Sequence, residues 1–434
     1  MHKHLIRNRI KNFKDWAEHL SLFKDEIFLV CRGINYTYSQ FLLDINYVRW
    51  KLKTKNVLPG NFVGLSVPTN SYNYLVFLFG IISFGAVAVP VDPKWFNNKK
   101  NFILSFNMKC FIYDDETVGI FIKHFPQINH FSIDNHIKST NEWIEIYDAK
   151  RNFPCLIAES SGSTGQSKNI LLSQSYLFYL IDSKHFLFSK EITSYYKKIK
   201  TSFCFLPIKR SVLLQFGIIW PMSIGRKIYL ESENILKDYQ LFFSIYKKYN
   251  PDMLFCVSPL LQTLKNVIEK LPNCNLKILA VGGLLLDSKY TKFFLNKNIR
   301  IHNGYGTTET GVLLIANHKN MLKNNISVGV PVKNDVKFKI LNDGELIIKS
   351  SAMMLGYYEQ NKIFVPFDSN GYFHTNDLVY PQKCSIFKKM IIVSGRKTSS
   401  MNKTWKTVSC IENNNNVKNS KEIIFPDGSI KIIE

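Results

Sequence analysis

The sequence predicts an α/β fold: a large N-terminal body of parallel-type sheets with flanking helices, followed by a smaller β-rich subdomain. Two patterns carry that prediction. As far as "LKILAVGG", strand-length apolar runs alternate with helical patterns, as a parallel sheet with crossover helices requires. From Val328 the texture changes to "VGVPVKNDVKFKILNDGELIIKSS", whose apolar residues alternate around an Asn-Asp-Gly turn and read as an antiparallel hairpin. A chain of 434 residues with 46% hydrophobic and 14% aromatic content has enough apolar material for a large core divided among subdomains.

The elements follow in chain order. "MHKHLIRNRIKNFKDWAEHL" is basic but has no apolar stretch of seven residues and no small-residue cleavage site, so an amphipathic first helix is expected rather than a secretory signal. No charge occurs between Lys55 and Asp92, and "YLVFLFGIISFGAVAVPV" is nearly all apolar. Its punctuation favours a βαβ unit over a membrane span: "FVGLSVP" as a buried strand, Asn70 or Ser71 as a helix N-cap, "YNYLVFLFGIISFG" as a buried helix and "AVAVPVD" as the next strand. Gly85 and Pro90 interrupt the run before it reaches the roughly 20 residues that a spanning helix needs. "NFPCLIAES" is an apolar run that opens into a polar loop, and "LLSQSYLFYLIDSKHFL" reads as the helix after it. "TSFCFLPI", "DMLFCVSP" and "LKILAVGG" are further strands. No internal repeat occurs.

The formal net charge is +23, from 56 Lys and Arg against 33 Asp and Glu. A lysine-rich solvated surface is the plainer source of that charge, and an acidic partner is the functional one. No arginine-rich tract, zinc-finger spacing or RNA-binding aromatic motif occurs, so nucleic acid is not an expected partner. The eight cysteines are scattered, without a C-x-x-C pair or a close histidine, which fits reduced thiols in a cytoplasmic protein.

Polar loops carry the candidate chemistry. In "ESSGSTGQSKNILLS" (159–173), Gly162 and Gly165 would let backbone N–H groups approach an anion, Ser161, Ser163 and Thr164 would donate hydroxyls, and Lys168 would add a charge. Ser167 stands where a Walker loop needs its second glycine, so the segment alone reads as an ordinary polar connection. "NGYGTTET" (303–310) joins what reads as a tight glycine turn to hydroxyls and Glu309, a set suited to phosphate and a hard cation. "GELIIKSSAMMLGYY" (344–358) looks like a strand and a turn. "FHTNDL" offers Asp377, whose two oxygens could accept both hydroxyls of a ribose, and "VSGRK" ends a strand with Arg396.

In this order the motifs resemble those of the adenylate-forming superfamily: acyl-CoA ligases, adenylation domains of peptide synthetases, and firefly luciferases. "SSGSTGQSKN" resembles the family's T-S-G-S-T-G-x-P-K-G, "YGTTE" its Y-G-x-T-E, "GELIIKSSAMMLGYY" its G-E-L…G-Y, "TND" its T-G-D and "GRKT" its G-R-x-D hinge. "YTYSQF" and "FLFGIISFGAVAVPVDP" resemble its two early motifs, and the likeness runs over roughly residues 35–398.

The resemblance implies ATP and Mg²⁺ as cofactors, a small carboxylic acid as substrate, and an acyl-adenylate and pyrophosphate as products. Transfer of the acyl group to coenzyme A or to the phosphopantetheine of an acidic acyl or peptidyl carrier protein would follow. It implies that Lys168, Thr308 and Glu309 act in catalysis. Ser161, Gly162, Ser163, Thr164 and Gly165 would hold phosphate, and Thr164 and Glu309 the metal. Gly282, Gly283, Asn303, Tyr305 and Gly306 would border adenine and the acyl group, and Asp377 and Arg396 would hold the ribose. His302 and His374, beside these motifs, are read as packed or exposed rather than catalytic.

Departures from the family pattern accompany the matches. Asn169 and Asn376 replace glycines, a change the left-handed backbone region tolerates better for asparagine than for other side chains. Ser167 replaces a proline and Thr398 the hinge aspartate. The expected domain division is 1–394, with the β-rich part at about 328–394, and 395–434 as a hinge and shortened C-terminal remnant, in which Ser429 stands at the family's lysine position near Lys431. "FLPIKRSVLLQFG" offers Lys209 and Arg210 and no acid, an argument against an α-amino acid and for a fatty, aryl or acidic carboxylate. Two function classes therefore stand at the sequence level: a working ligase, and a non-catalytic relative that binds nucleotide or a partner protein.

Overall fold

In the computed structural model, residues 10–98, 103–114, 121, 123–132, 140, 142–150, 152–159, 168–181, 198–283, 286–316, 328–351, 353–359, 361–382, 390–396, 421–424 and 430–433 are described. The alternation of apolar runs and helices produces two mixed sheets. The first, nine-stranded, has six parallel strands at its centre, Arg300–Thr307, Ile278–Gly282, Met253–Val257, Thr201–Cys204, Lys227–Leu230 and Ile27–Cys31, with antiparallel additions at both edges. The second, eight-stranded, runs parallel from Pro154–Glu159 through Val87–Pro90, Phe62–Ser66 and Cys110–Tyr113 to Asn129–Ser132. Its other side is antiparallel: Asn169–Ser173, then Gly356–Glu359 and Lys362–Phe364.

The apolar stretch before Asp92 forms the expected βαβ unit. Ser71 caps the helix Tyr72–Phe84 by accepting the Tyr74 N–H, and Gly85 ends it at a φ of 85°, a left-handed conformation that suits glycine. Asn70, the other candidate cap, is a tie between sheets instead. Its amide donates to the carbonyls of Leu206 and Glu231, and its oxygen accepts from the Ile208 N–H. The helix is apolar on all sides because it is buried on all sides. Among the described residues no helix is long and apolar enough to cross a membrane. Phe13 and Trp16, on the first helix Phe13–Leu20, pack against Phe79 and Phe178 and join the two sheets in one core. The helices Tyr239–Tyr249, Leu261–Glu269 and Ser288–Asn296 belong to a second cluster with strands of the nine-stranded sheet.

The run "LLSQSYLFYLIDSKHFL" is not helical throughout. Leu171, Leu172 and Ser173 complete the strand Asn169–Ser173, and the helix starts only at Gln174, where Ser173 accepts the Tyr176 N–H as its cap. The residues after Ile181 in this run lie outside the described residues. Likewise "NGYGTTET" is not a tight glycine turn: Asn303 to Thr307 are strand, and the turn follows at Thr308–Thr310. The glycines serve close approach instead. A Cβ on Gly306 would lie 1.9 Å from the Gly311 carbonyl oxygen on the neighbouring strand.

The Asn-Asp-Gly hairpin forms as expected, between Lys337–Ile340 and Glu345–Lys349. With Phe373–Gln382 and Met390–Arg396 it makes a four-stranded antiparallel sheet. Between these pairs the chain leaves to supply Gly356–Glu359 to the eight-stranded sheet. The end of the chain forms a hairpin, 421–424 with 430–433.

Candidate active site

Each of the three sheets delivers part of one site. From the nine-stranded sheet come Tyr305, near the end of its strand, and Glu309 in the turn that follows. The eight-stranded sheet brings Lys168, just before the strand Asn169–Ser173, and Tyr357 on the adjoining strand. Asp377 and Arg396, from the four-stranded sheet, are register partners.

Asp377 is placed by its turn. Thr375 donates its hydroxyl to the Leu346 carbonyl and accepts the Asp377 N–H. Asn376 takes a φ of 58°, the left-handed conformation that its glycine-like position requires, and its N–H is held by the buried Glu345 carboxylate at 3.0 Å. The Asp377 carboxylate accepts the Tyr305 hydroxyl at 2.6 Å and faces the Arg396 Nε at 3.4 Å. Burial pushes the Asp377 carboxyl above its ordinary range against both of these partners, and the charges of Glu309 and Glu345 add to the push. Glu309 is therefore close enough for Asp377 to feel its charge.

Glu309 is held from one direction. Its carbonyl accepts the Met354 N–H at 2.8 Å, and one carboxylate oxygen accepts the Tyr357 hydroxyl at 3.2 Å. The Lys168 ammonium stands 4.5 Å from the centre of the Tyr357 ring, a cation–π contact. The Thr308 carbonyl accepts the Tyr176 hydroxyl at 3.0 Å, which ties the turn to the helix Gln174–Phe178.

Lys168, Tyr305, Gly306, Thr308, Glu309, Asp377 and Arg396 thus lie along linked contacts. Gly283 follows the strand Ile278–Gly282, whose Val281 pairs with Asn303, itself buried in the next strand. Ser161, Gly162, Ser163, Thr164 and Gly165, like Ser167 and Thr398, fall outside the described residues. Asn169 needs no left-handed backbone: it begins a strand, and its amide donates to the Tyr358 carbonyl. His302 is buried in its strand, and His374, half exposed, lies 3.5 Å from the Glu345 carboxylate. Glu345 and Tyr357 carried no assigned role at the sequence level. Both sit inside quoted motifs, and only their partners, 31 and 48 residues away in the chain, reveal what they do.

The donor set fits Mg²⁺. Among the described residues no three His, Cys, Asp or Glu side chains gather to enclose a metal, and Mg²⁺ beside a nucleotide takes one or two carboxylates and completes its shell with phosphate and water. Glu309, with one oxygen engaged by Tyr357, is the carboxylate that would serve in that way. A separate cavity of about 370 Å³ opens where strands of both large sheets end, with Arg32, Asp92, Asp114, Lys209, Arg210 and Glu233 among its lining. There the Arg210 guanidinium donates to the Glu159 carbonyl at 3.2 Å.

Known proteins resemble this chain in sequence and fold. A sequence model described as "AMP-binding enzyme" matches residues 16–358. Gramicidin S synthase 2 of Brevibacillus brevis is 22% identical over 311 residues, which is 69% of this chain and 6% of that protein. Acyl-CoA ligase oryP of Aspergillus oryzae is 25% identical over 277 residues, 58% of this chain and 47% of that ligase. The chain therefore spans about half or less of these two relatives. Among solved structures, the anthranilate CoA ligase AuaEII, in complex with anthranoyl-AMP, has the same fold at a TM-score of 0.75 and 16% identity, over 90% of this chain and 78% of that one. With a family match over most of its length, the chain belongs to the AMP-binding enzyme family.

Proposed function

We propose that this chain activates a carboxylic acid as its acyl-adenylate and passes the acyl group to a thiol. The observation that carries the reading is the convergence of Lys168, Glu309, Asp377 and Arg396 from three sheets, linked through Tyr357 and Tyr305.

In the reaction a carboxylate oxygen bonds to the α-phosphorus of ATP. The bond from that phosphorus to the bridging oxygen breaks, and pyrophosphate leaves with the electron pair. Two anions must be brought together, so positioning and charge carry most of the acceleration. The ionised Asp377 accepts ribose hydroxyls and Arg396 donates to the nucleotide, while Lys168 faces phosphate oxygens. Glu309 would hold Mg²⁺, which when bound neutralises phosphate charge. Thr308 would donate to the α-phosphate, and Ser161 to Gly165 with Thr164 would hold the other phosphates.

The stretch "FLPIKRSVLLQFG", with Lys209 and Arg210 and no acid, favours a substrate without an α-ammonium group: fatty, aryl or itself acidic. The thiol belongs to coenzyme A or to a carrier protein's phosphopantetheine, and a net charge of +23 suits an acidic carrier.

Exchange of labelled pyrophosphate into ATP, run over a panel of carboxylic acids, tests this. At least one acid is expected to support exchange, and Lys168→Ala or Glu309→Gln to lower it by roughly 10²-fold or more. Binding of ATP without exchange for any acid would exclude adenylation.

A further inference from the structure

The strap that carries "LGYY" grips Glu309 twice, once through the backbone and once through a side chain. The Met354 N–H meets the Glu309 carbonyl at 2.8 Å, and three residues later the Tyr357 hydroxyl meets its carboxylate at 3.2 Å. Between them, Leu355 bonds by its N–H to the Leu171 carbonyl at 2.8 Å, which anchors the strap to the eight-stranded sheet. Gly356 makes this path available: its φ is 152°, and a Cβ there would lie 2.7 Å from both the Ile363 side chain and the Phe364 carbonyl oxygen. The next two residues face opposite ways, as strand residues do. Tyr358 stacks in the core on Phe106, and Tyr357 turns to Lys168 and Glu309.

We propose that Tyr357 is a positioning residue for the metal and nucleotide: its hydroxyl fixes one oxygen of Glu309 so that the other meets Mg²⁺, while its ring steadies Lys168. A glutamate in a half-buried turn otherwise has three side-chain torsions free, and a metal ligand held by a second partner binds better for being oriented. The carboxylate that this hydroxyl holds lies at the centre of the site.

The inference rests on the adenylation reading for the reaction that it serves, so its test reads metal binding as well as exchange. Mn²⁺ would be titrated into the full chain with the non-reacting analogue α,β-methylene-ATP and the free ion followed by electron paramagnetic resonance. Tyr357→Phe keeps the ring under Lys168 and loses only the hydroxyl. It is expected to weaken Mn²⁺ binding by about 10-fold or more and to raise the Mg²⁺ needed for exchange by the same factor, with an unchanged melting temperature. In the Glu309→Gln background the same substitution should add little. Mn²⁺ affinity equal to the wild type in Tyr357→Phe, with Glu309→Gln weakened, would overturn the role of Tyr357 while leaving adenylation intact. The expected Mn²⁺ pattern in a chain that supports no exchange would uphold the positioning and remove the reaction. A wild-type chain that binds no Mn²⁺ with the analogue would overturn the positioning as well.

Discussion

At the scale of single residues, Asp377 carries the sharpest pH signature. Its carboxyl is pushed above the ordinary range chiefly by burial, so in the folded chain it takes up a proton at a higher pH than it would in the unfolded one. Only the ionised form offers acceptors on both oxygens to a ribose. Affinity for ATP is therefore expected to fall as pH drops through that raised value, and Asp377→Asn should weaken ATP by about 10-fold to 100-fold while removing this pH dependence, measured by nucleotide titration across pH. An Asn variant with the wild-type profile would assign the pH effect elsewhere. The residue was legible from the sequence as a candidate because carboxylate chemistry is local. Its partners were not, since the Tyr305 bond joins positions 72 apart and the Arg396 contact depends on the register of two strands.

At the scale of elements, the strand Arg300–Thr307 brings Tyr305 and the Glu309 turn to the site by pairing unusually closely with the strand Gly311–Ala316. Gly306→Ala would drive a methyl into the Gly311 carbonyl, and overpacking of this kind costs about 1–3 kcal/mol. Its melting temperature should fall, and exchange should fall further than the lost stability explains, because the turn bearing Thr308 and Glu309 must move. A substitution that leaves exchange unchanged would show that the close pairing does not set the turn. Here the sequence was read wrongly for a physical reason: glycines beside hydroxyls look like a turn, and a need for backbone approach leaves no local mark. The helix Tyr72–Phe84 was legible because its signals are local, with Ser71 before it and Gly85 after it. The strand Asn169–Ser173 was hidden because a short apolar run has no period of its own.

At the scale of the whole molecule, the site exists only where three sheets meet. The alternation of strands and helices predicted a body of parallel-type sheets, and the turn signal predicted the Asn-Asp-Gly hairpin, since each repeats a local pattern; neither foretold that the body holds two sheets with antiparallel edges. Nor could they foretell that Gly356–Glu359 would leave the small sheet to join the eight-stranded one, because that exchange is decided by tertiary packing around a glycine and by bonds to Leu171 and Glu309. The convergence has one chemical purpose in this account: to hold a carboxylate against the α-phosphorus of ATP. The direct measurement is the fate of ¹⁸O from a carboxylic acid labelled on both oxygens, supplied with ATP and a thiol acceptor. Attack at the α-phosphorus leaves one ¹⁸O in the AMP released on thioester formation. Appearance of the label in inorganic phosphate, with unlabelled nucleotide, would place the attack at the γ-phosphorus and contradict adenylation.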